Sequence, residues 1–194
     1  MIVVADKNGF PTNNVVGKLE AHLEGIPHIN THVYVYRINN GEIEILLQKR
    51  AQSKKYVQAY NGLWDISASG HMNKEDKNIV DCALRELEDE TGIIAKPEEL
   101  VFFKKFKTNR LKNKGKRIHN IEANPVFFYE FKGDENFLHN YLINKKDNEV
   151  DELNFVSIKQ FKNEIKDNKN FIKKYVRRKG EYLSIISTLE KQAA

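Results

Sequence analysis

The sequence predicts a mixed α/β fold, on three observations. Two segments rich in β-branched and aromatic residues, Thr31 to Arg37 and Glu42 to Arg50, flank an Asn-Gly pair. A stretch of helical periodicity from about Asp76 to Thr91 stops at Gly92. Two further strand-like segments then precede a helix-patterned C-terminal portion, about 159–194. The order is strands, a central helix, more strands, then terminal helices. No stretch is rich enough in Pro, Gly or Ser to be a linker, so the 194 residues read as a single domain.

In the first pair, Ile38-Asn39-Asn40-Gly41 supplies the positive φ angles of a tight turn, which makes it a hairpin. Lys54 to Gly62 is a polar loop, after which Leu63 to Ala68 resumes a short strand broken by Gly70. Gly92 stands where a left-handed C-cap closes the central helix. Val101 to Thr108 and Arg117 to Phe131 are strands joined by a basic loop around Asn113-Lys114-Gly115. Leu153 to Ile158 adds a strand. Gln160 to Ile165 and Asn170 to Leu189 have helical spacing, with Phe171, Tyr175, Tyr182, Ile185 and Leu189 on the buried side.

Composition narrows the function classes. Hydrophobic residues make up 40% of the chain, enough apolar surface to fold, and charge breaks every apolar run before the ~20 residues of a membrane span. The opening MIVVADKNGF lacks the basic and apolar regions of a signal peptide, so a cytoplasmic location is expected. The one cysteine, Cys82, forms no internal disulfide and no multi-thiolate zinc site, and reads as a small buried filler. A net charge of +5 from 32 basic and 27 acidic residues is a modest excess. The basic run Lys104 to Arg117 and the Lys173 to Lys179 cluster fit solvated surfaces better than a nucleic-acid groove, which weighs against nucleic acid as a partner.

The central helix carries the chemistry. With Glu86 at zero on a wheel advancing ~100° per residue, Ala83, Leu87, Val80 and Leu84 fall between about 60° and 160°, a core-facing stripe. Asp89, Glu86 and Glu90 fall at about 300°, 0° and 40°, bordering that stripe and facing a cleft. Carboxylates three and four residues apart repel by a few tenths of a kcal/mol per pair, a cost that a divalent cation removes. Mg2+ takes such oxygen ligands together with water and substrate phosphate oxygens. The competing reading of ELEDE is a solvated acidic face.

Gly70-His71-Met72 through Arg85-Glu86-Leu87-Glu88-Asp89-Glu90-Thr91-Gly92-Ile93 decides between them, because it resembles the Nudix hydrolase signature, G-x5-E-x7-R-E-U-x-E-E-x-G-U, where U is a bulky aliphatic residue. The box spans 70–93, with Asp89 in place of the first Glu of the terminal pair. Its first half departs from the pattern. Counting from Gly70 puts the isolated acid at Asp76 and counting back from Arg85 puts it at Lys77, so the loop has one extra residue and Asp76 or Glu75 fills the role. The resemblance implies a Nudix α/β/α sandwich, a mixed β-sheet with the box helix on one face and the C-terminal helices on the other. It also implies cleavage of a diphosphate linkage in a nucleoside diphosphate joined to a moiety X.

Around the box, Asp6-x-x-Gly9-x-Pro11-Thr12, His28, His32, Leu47-Gln48-Lys49-Arg50 and Trp64 through His71 resemble the isopentenyl-diphosphate isomerase-like branch of that superfamily. By resemblance, Arg50 and Lys54 grip the diphosphate, one as a bidentate fork and the other as a point charge. Glu86, Asp89 and Glu90, with the Gly70 carbonyl, hold Mg2+, with Mn2+ the alternative ion. Glu122 or Glu86 accepts the proton of the attacking water, and Arg85 orients the box carboxylates. His32 and His71 match isomerase positions that help hold a metal, against a purely structural role for these histidines and His28. Glu122 matches the isomerases' second acid.

Three function classes stay open. A hydrolase acting on a small-molecule diphosphate leads, with a homodimer as a candidate assembly. An isomerase of the isopentenyl-diphosphate type needs a Cys before the Gly-His pair, and Ser69 stands there instead. A hydroxyl is a far poorer acid or base than a thiol with pKa ~8.5. A non-catalytic nucleotide- or RNA-binding module is the third, and the intact acidic cluster argues against it.

Overall fold

The computed structural model describes residues 1–52, 61–114, 116–144, 149–167 and 179–192, with side chains 109–118, 166, 167, 179 and 192 set aside. Nine strands hydrogen-bond into one mixed sheet flanked in sequence by helices, the α/β architecture expected. The chain divides into two compact units. The first comprises Met1–Val33, Ser69–Glu88 and Ile94–Phe128, the second the remainder. No helix among the described residues is long and apolar enough to cross a membrane.

In the first unit, β1 (Ile2–Ala5) pairs antiparallel with β2 (Pro11–Val16), Val3 opposite Val15. The turn between them closes on Asp6, whose carboxylate accepts from the Asn8 and Phe10 amides at 2.8 Å each. A short helix, α1 (Lys18–Glu24), leads into the first half of β3 (His28–Asn39), which is buried along its length. β6 (Ala68–His71) lies beside β3. β7 (Val101–Lys114) and β8 (Lys116–Glu130) form a long antiparallel hairpin, and β8 adds to β3. The basic loop expected around Asn113 to Gly115 is therefore a correction: pairing continues to Lys114 opposite Lys116. Val3, Ala5, Ile29, Met72, Cys82 and Ala123 make the core of this unit.

In the second unit, the end of β3 and β4 (Glu42–Arg50) are the expected hairpin, with Asn40 and Gly41 at φ of 50° and 80°. β4 pairs on one side with β5 (Trp64–Ile66) and on the other with β9 (Val150–Ser157). A helix absent from the sequence reading, α3 (Glu135–Asn144), precedes β9, and α4 (Ile158–Asp167) follows it. The last helix, α5 (Lys179–Gln192), buries Tyr182, Ile185 and Leu189 as expected. Phe171 and Tyr175 lie outside the described residues.

The central helix, α2, runs Ile79–Thr91, three residues shorter at its start than the periodicity suggests. Asn78 is the reason: its side-chain oxygen accepts from the Val80 and Asp81 amides at 2.7 and 3.0 Å and caps the first turn. At the other end Gly92 has φ 76°, the left-handed conformation that a C-cap requires. Cys82, Ala83, Leu87 and Glu90 are buried, Val80 and Leu84 only partly so. The buried arc thus runs from about 320° to 100° on the wheel, rotated from the expected stripe, with Glu86 and Glu90 inside it.

Candidate functional site

Within the first unit, Arg85 is the hub of the box. Its Nε and Nη2 donate to the two Asp76 oxygens at 2.9 Å each, Nη1 donates to Glu86 Oε1 at 2.6 Å, and Nη2 also reaches the His71 carbonyl at 3.1 Å. Ion pairing with Asp76, reinforced by Glu86, raises the guanidinium pKa further despite burial. Burial pushes the Asp76 carboxyl up, but the Arg85 bonds and the Asn73 amide outweigh it and hold it below the usual value. Asp76, not Glu75, is thus the acid brought to Arg85; Glu75 is exposed.

Gly70 and Glu86 meet at close quarters. A Cβ on Gly70 would clash with the Glu86 carboxyl carbon, so any side chain here would displace that carboxylate. The Gly70 carbonyl faces the Thr31 hydroxyl at 3.4 Å and the Cys82 thiol at 3.8 Å. Cys82 is buried, and burial pushes its thiol pKa up to about 12, which leaves it a neutral packing group.

A second constellation lies in the same unit. His22 on α1, His28 on β3, His71 on β6 and Glu122 on β8 each offer a ligand atom within 4.8 Å of the others. The Nε2 atoms of His28 and His71 lie 4.0 and 3.9 Å from Glu122 Oε1. His28 Nδ1 faces the Ile26 carbonyl at 2.8 Å and His22 Nδ1 faces the Lys18 carbonyl at 2.6 Å, which assigns the ring proton to Nδ1 and the lone pair to Nε2. Burial lowers the pKa of His28 and holds that of His71 well below its ordinary value, so both rings are neutral. Their Nε2 atoms are buried without a hydrogen-bond partner among the described residues. Three imidazoles and a carboxylate in this arrangement could hold a metal ion. His22 escaped the sequence reading because a single His in a seven-residue helix carries no spacing signal. His32, matched by resemblance to a metal-holding position, is not in this group; it is buried with Asn30 Nδ2 3.2 Å from its Nε2.

In the second unit, Glu90 is only 4% exposed, and its Oε2 accepts from the Gln48 side-chain amide at 2.7 Å. Asp89 lies on the exposed side of α2, its carbonyl accepting from the Tyr141 hydroxyl at 3.0 Å. Arg50 ends β4 with Nη1 3.7 Å from Asp65 Oδ2, and its Nε is buried without a hydrogen-bond partner among the described residues. Lys54 lies outside the described residues.

A family model described as NUDIX domain matches residues 28–178. Nudix hydrolase 3 of Arabidopsis thaliana is 32% identical over 124 residues, 64% of this chain and 15% of that protein. An isopentenyl-diphosphate Delta-isomerase from Jannaschia sp. (strain CCS1) is 37% identical over 78 residues, 40% of each. The matched region thus spans less than half of either relative. Among solved structures, the NUDIX domain of Shewanella oneidensis NrtR, crystallised with ADP ribose, superposes with a TM-score of 0.54 at 10% identity, covering 92% of this chain and 100% of that one.

Proposed function

Because the chain belongs to the NUDIX domain family, we propose that it is a Mg2+-dependent hydrolase that cleaves the diphosphate linkage of a nucleoside diphosphate-X compound. Mn2+ is the alternative ion. The observation that carries this reading is the disposition of the box: Arg85 clamps Asp76 and Glu86 while Glu90 is drawn into the protein one turn on.

In this reading Glu86 and Glu90, with the Gly70 carbonyl and Asp89, would hold the cation. A divalent cation supplies charge neutralisation on the diphosphate and lowers the pKa of a bound water. Arg50 and Lys54 bind the diphosphate oxygens, Arg50 as a bidentate fork and Lys54 as a point charge. Arg85 fixes the orientation of the Glu86 carboxylate by a charge-assisted bond. Glu86 takes the proton of the attacking water, and Glu122 serves a second cation centre with His22, His28 and His71.

The test is a product assay. Full-length protein is incubated with Mg2+ and ADP-ribose, nucleotide sugars, dinucleotides, nucleoside triphosphates and isoprenoid diphosphates, and followed by 31P NMR. Cation-dependent release of a phosphorylated product from at least one compound is expected; no release from any would overturn the hydrolase reading.

The likeness to the Jannaschia isomerase and the three-histidine cluster favour a second reading, an isoprenoid diphosphate isomerase. Moving a proton at carbon needs paired acid and base groups, and Ser69 with Glu122 supplies only one. Solvent deuterium appearing in isopentenyl diphosphate at a catalytic rate would establish the isomerase instead.

A further inference from the structure

We propose that Gln48 is a positioning residue that fixes Glu90 as a cation-holding carboxylate, an inference that rests on the reading of the box carboxylates given above. β4 reads EIEILLQKR, and Gln48 is the polar residue at the end of its buried run, itself 0% exposed. The strand is held on both sides there, with Gln48 opposite Asp65 on β5 and Leu153 on β9. A buried amide at such a position is costly unless it is bonded, so its partners indicate why it stands there.

Its Nε2 donates to Glu90 Oε2 at 2.7 Å and lies 3.4 Å from the Ser67 carbonyl. Ser67 is tied in turn: its hydroxyl donates to the Leu46 carbonyl at 2.7 Å and accepts from the Val35 amide at 2.8 Å. The amide donor is therefore aimed from a braced framework. Gln48 Oε1 is buried without a hydrogen-bond partner among the described residues, and the donor end makes the short bond that orients the side chain.

The type of donor matters. An amide holds one Glu90 oxygen without adding a charge, and so leaves the carboxylate charge available for the metal. Glu86 is handled differently, by Arg85. The two carboxylates are thus oriented by two separate partners, one cationic and one neutral.

The experiment measures Mg2+ binding without turnover, as the Mg2+ concentration that half-saturates the heat signal in titration calorimetry of the full chain. Mg2+ prefers oxygen ligands, so the histidine cluster contributes little to this signal. Gln48→Met keeps length and bulk and removes the donor; it should raise the half-saturating concentration about tenfold or more. In a Glu90→Gln background the same change should add nothing further, since Gln48 acts through Glu90. A half-saturating concentration for Gln48→Met within about twofold of the parent overturns the inference. If Glu90→Gln weakens Mg2+ binding and Gln48→Met does not, only the role of Gln48 falls; if Glu90→Gln has no effect, the box reading falls with it. Should Gln48→Met fail to fold, Gln48→Leu, which also removes the donor without adding a charge, is judged by the same criterion.

Discussion

Arg85 and Asp76 form a two-pronged ion pair, Nε on one carboxylate oxygen and Nη2 on the other, each at 2.9 Å. The pair absorbs the extra residue of the box loop. Asp76 stands one position before the acid counted back from Arg85, and the Asn73 amide on Asp76 Oδ2 at 2.7 Å folds the loop so that the shorter side chain still reaches. Asp76→Asn should therefore cost about 1.5–3 kcal/mol, the range for hydrogen bonds to charged groups. Glu75→Gln, on an exposed side chain, should stay within about 0.5 kcal/mol. Urea unfolding of the two variants checks the pair; equal effects would return the choice of acid to open.

Arg50 is assigned to holding phosphate rather than to making or breaking bonds. Arg50→Ala should then raise KM more than it lowers kcat on whichever compound the product assay identifies. Unchanged KM and kcat would leave Arg50 as a partner of Asp65 and nothing more.

Cys82 should be inert in the folded protein. With its thiol buried and its pKa pushed up to about 12, it carries almost no thiolate near neutrality. Labelling with a thiol reagent should wait on unfolding, at a rate that urea accelerates. Modification at the pace of a free thiol in the native protein would contradict the packing described.

The buried imidazoles predict acid sensitivity of the metal-free protein. Burial keeps the folded pKa of His28 and His71 below the ordinary 6.5, so below that pH the unfolded chain binds more protons than the folded one. Their contribution to stability is full above 6.5 and declines as pH falls toward the folded values. Stability measured in a chelator should drop as the pH is lowered through this window, and His71→Gln should flatten the slope. A parent profile flat across the window would mean that the rings are not buried neutral.

Much of the fold was legible because its signals are local. The Asn40-Gly41 turn, the Gly92 cap and the alternation of β3 and β4 each act over a few residues. The helix α3 was not legible, since only Leu138 is buried in it while Phe137 and Ile143 face solvent, and such a pattern has little periodicity. The box was readable in sequence as motif, but not the rotation of α2 that puts Glu90 inside and Asp89 outside. That depends on which neighbours pack against the helix. His22 and Gln48 belong to the same class: their partners, Glu122 and Glu90, lie 100 and 42 residues away in the chain.

The central claim is that the α2 carboxylates hold a cation that the reaction requires, and turnover of Glu90→Gln in excess Mg2+ tests it most directly. The substitution keeps size and buried position and removes the charge. The account predicts a rate lower than the parent's by about two orders of magnitude or more, with an unchanged circular dichroism spectrum. A rate within about threefold of the parent, less than 1 kcal/mol of transition-state stabilisation, would contradict it.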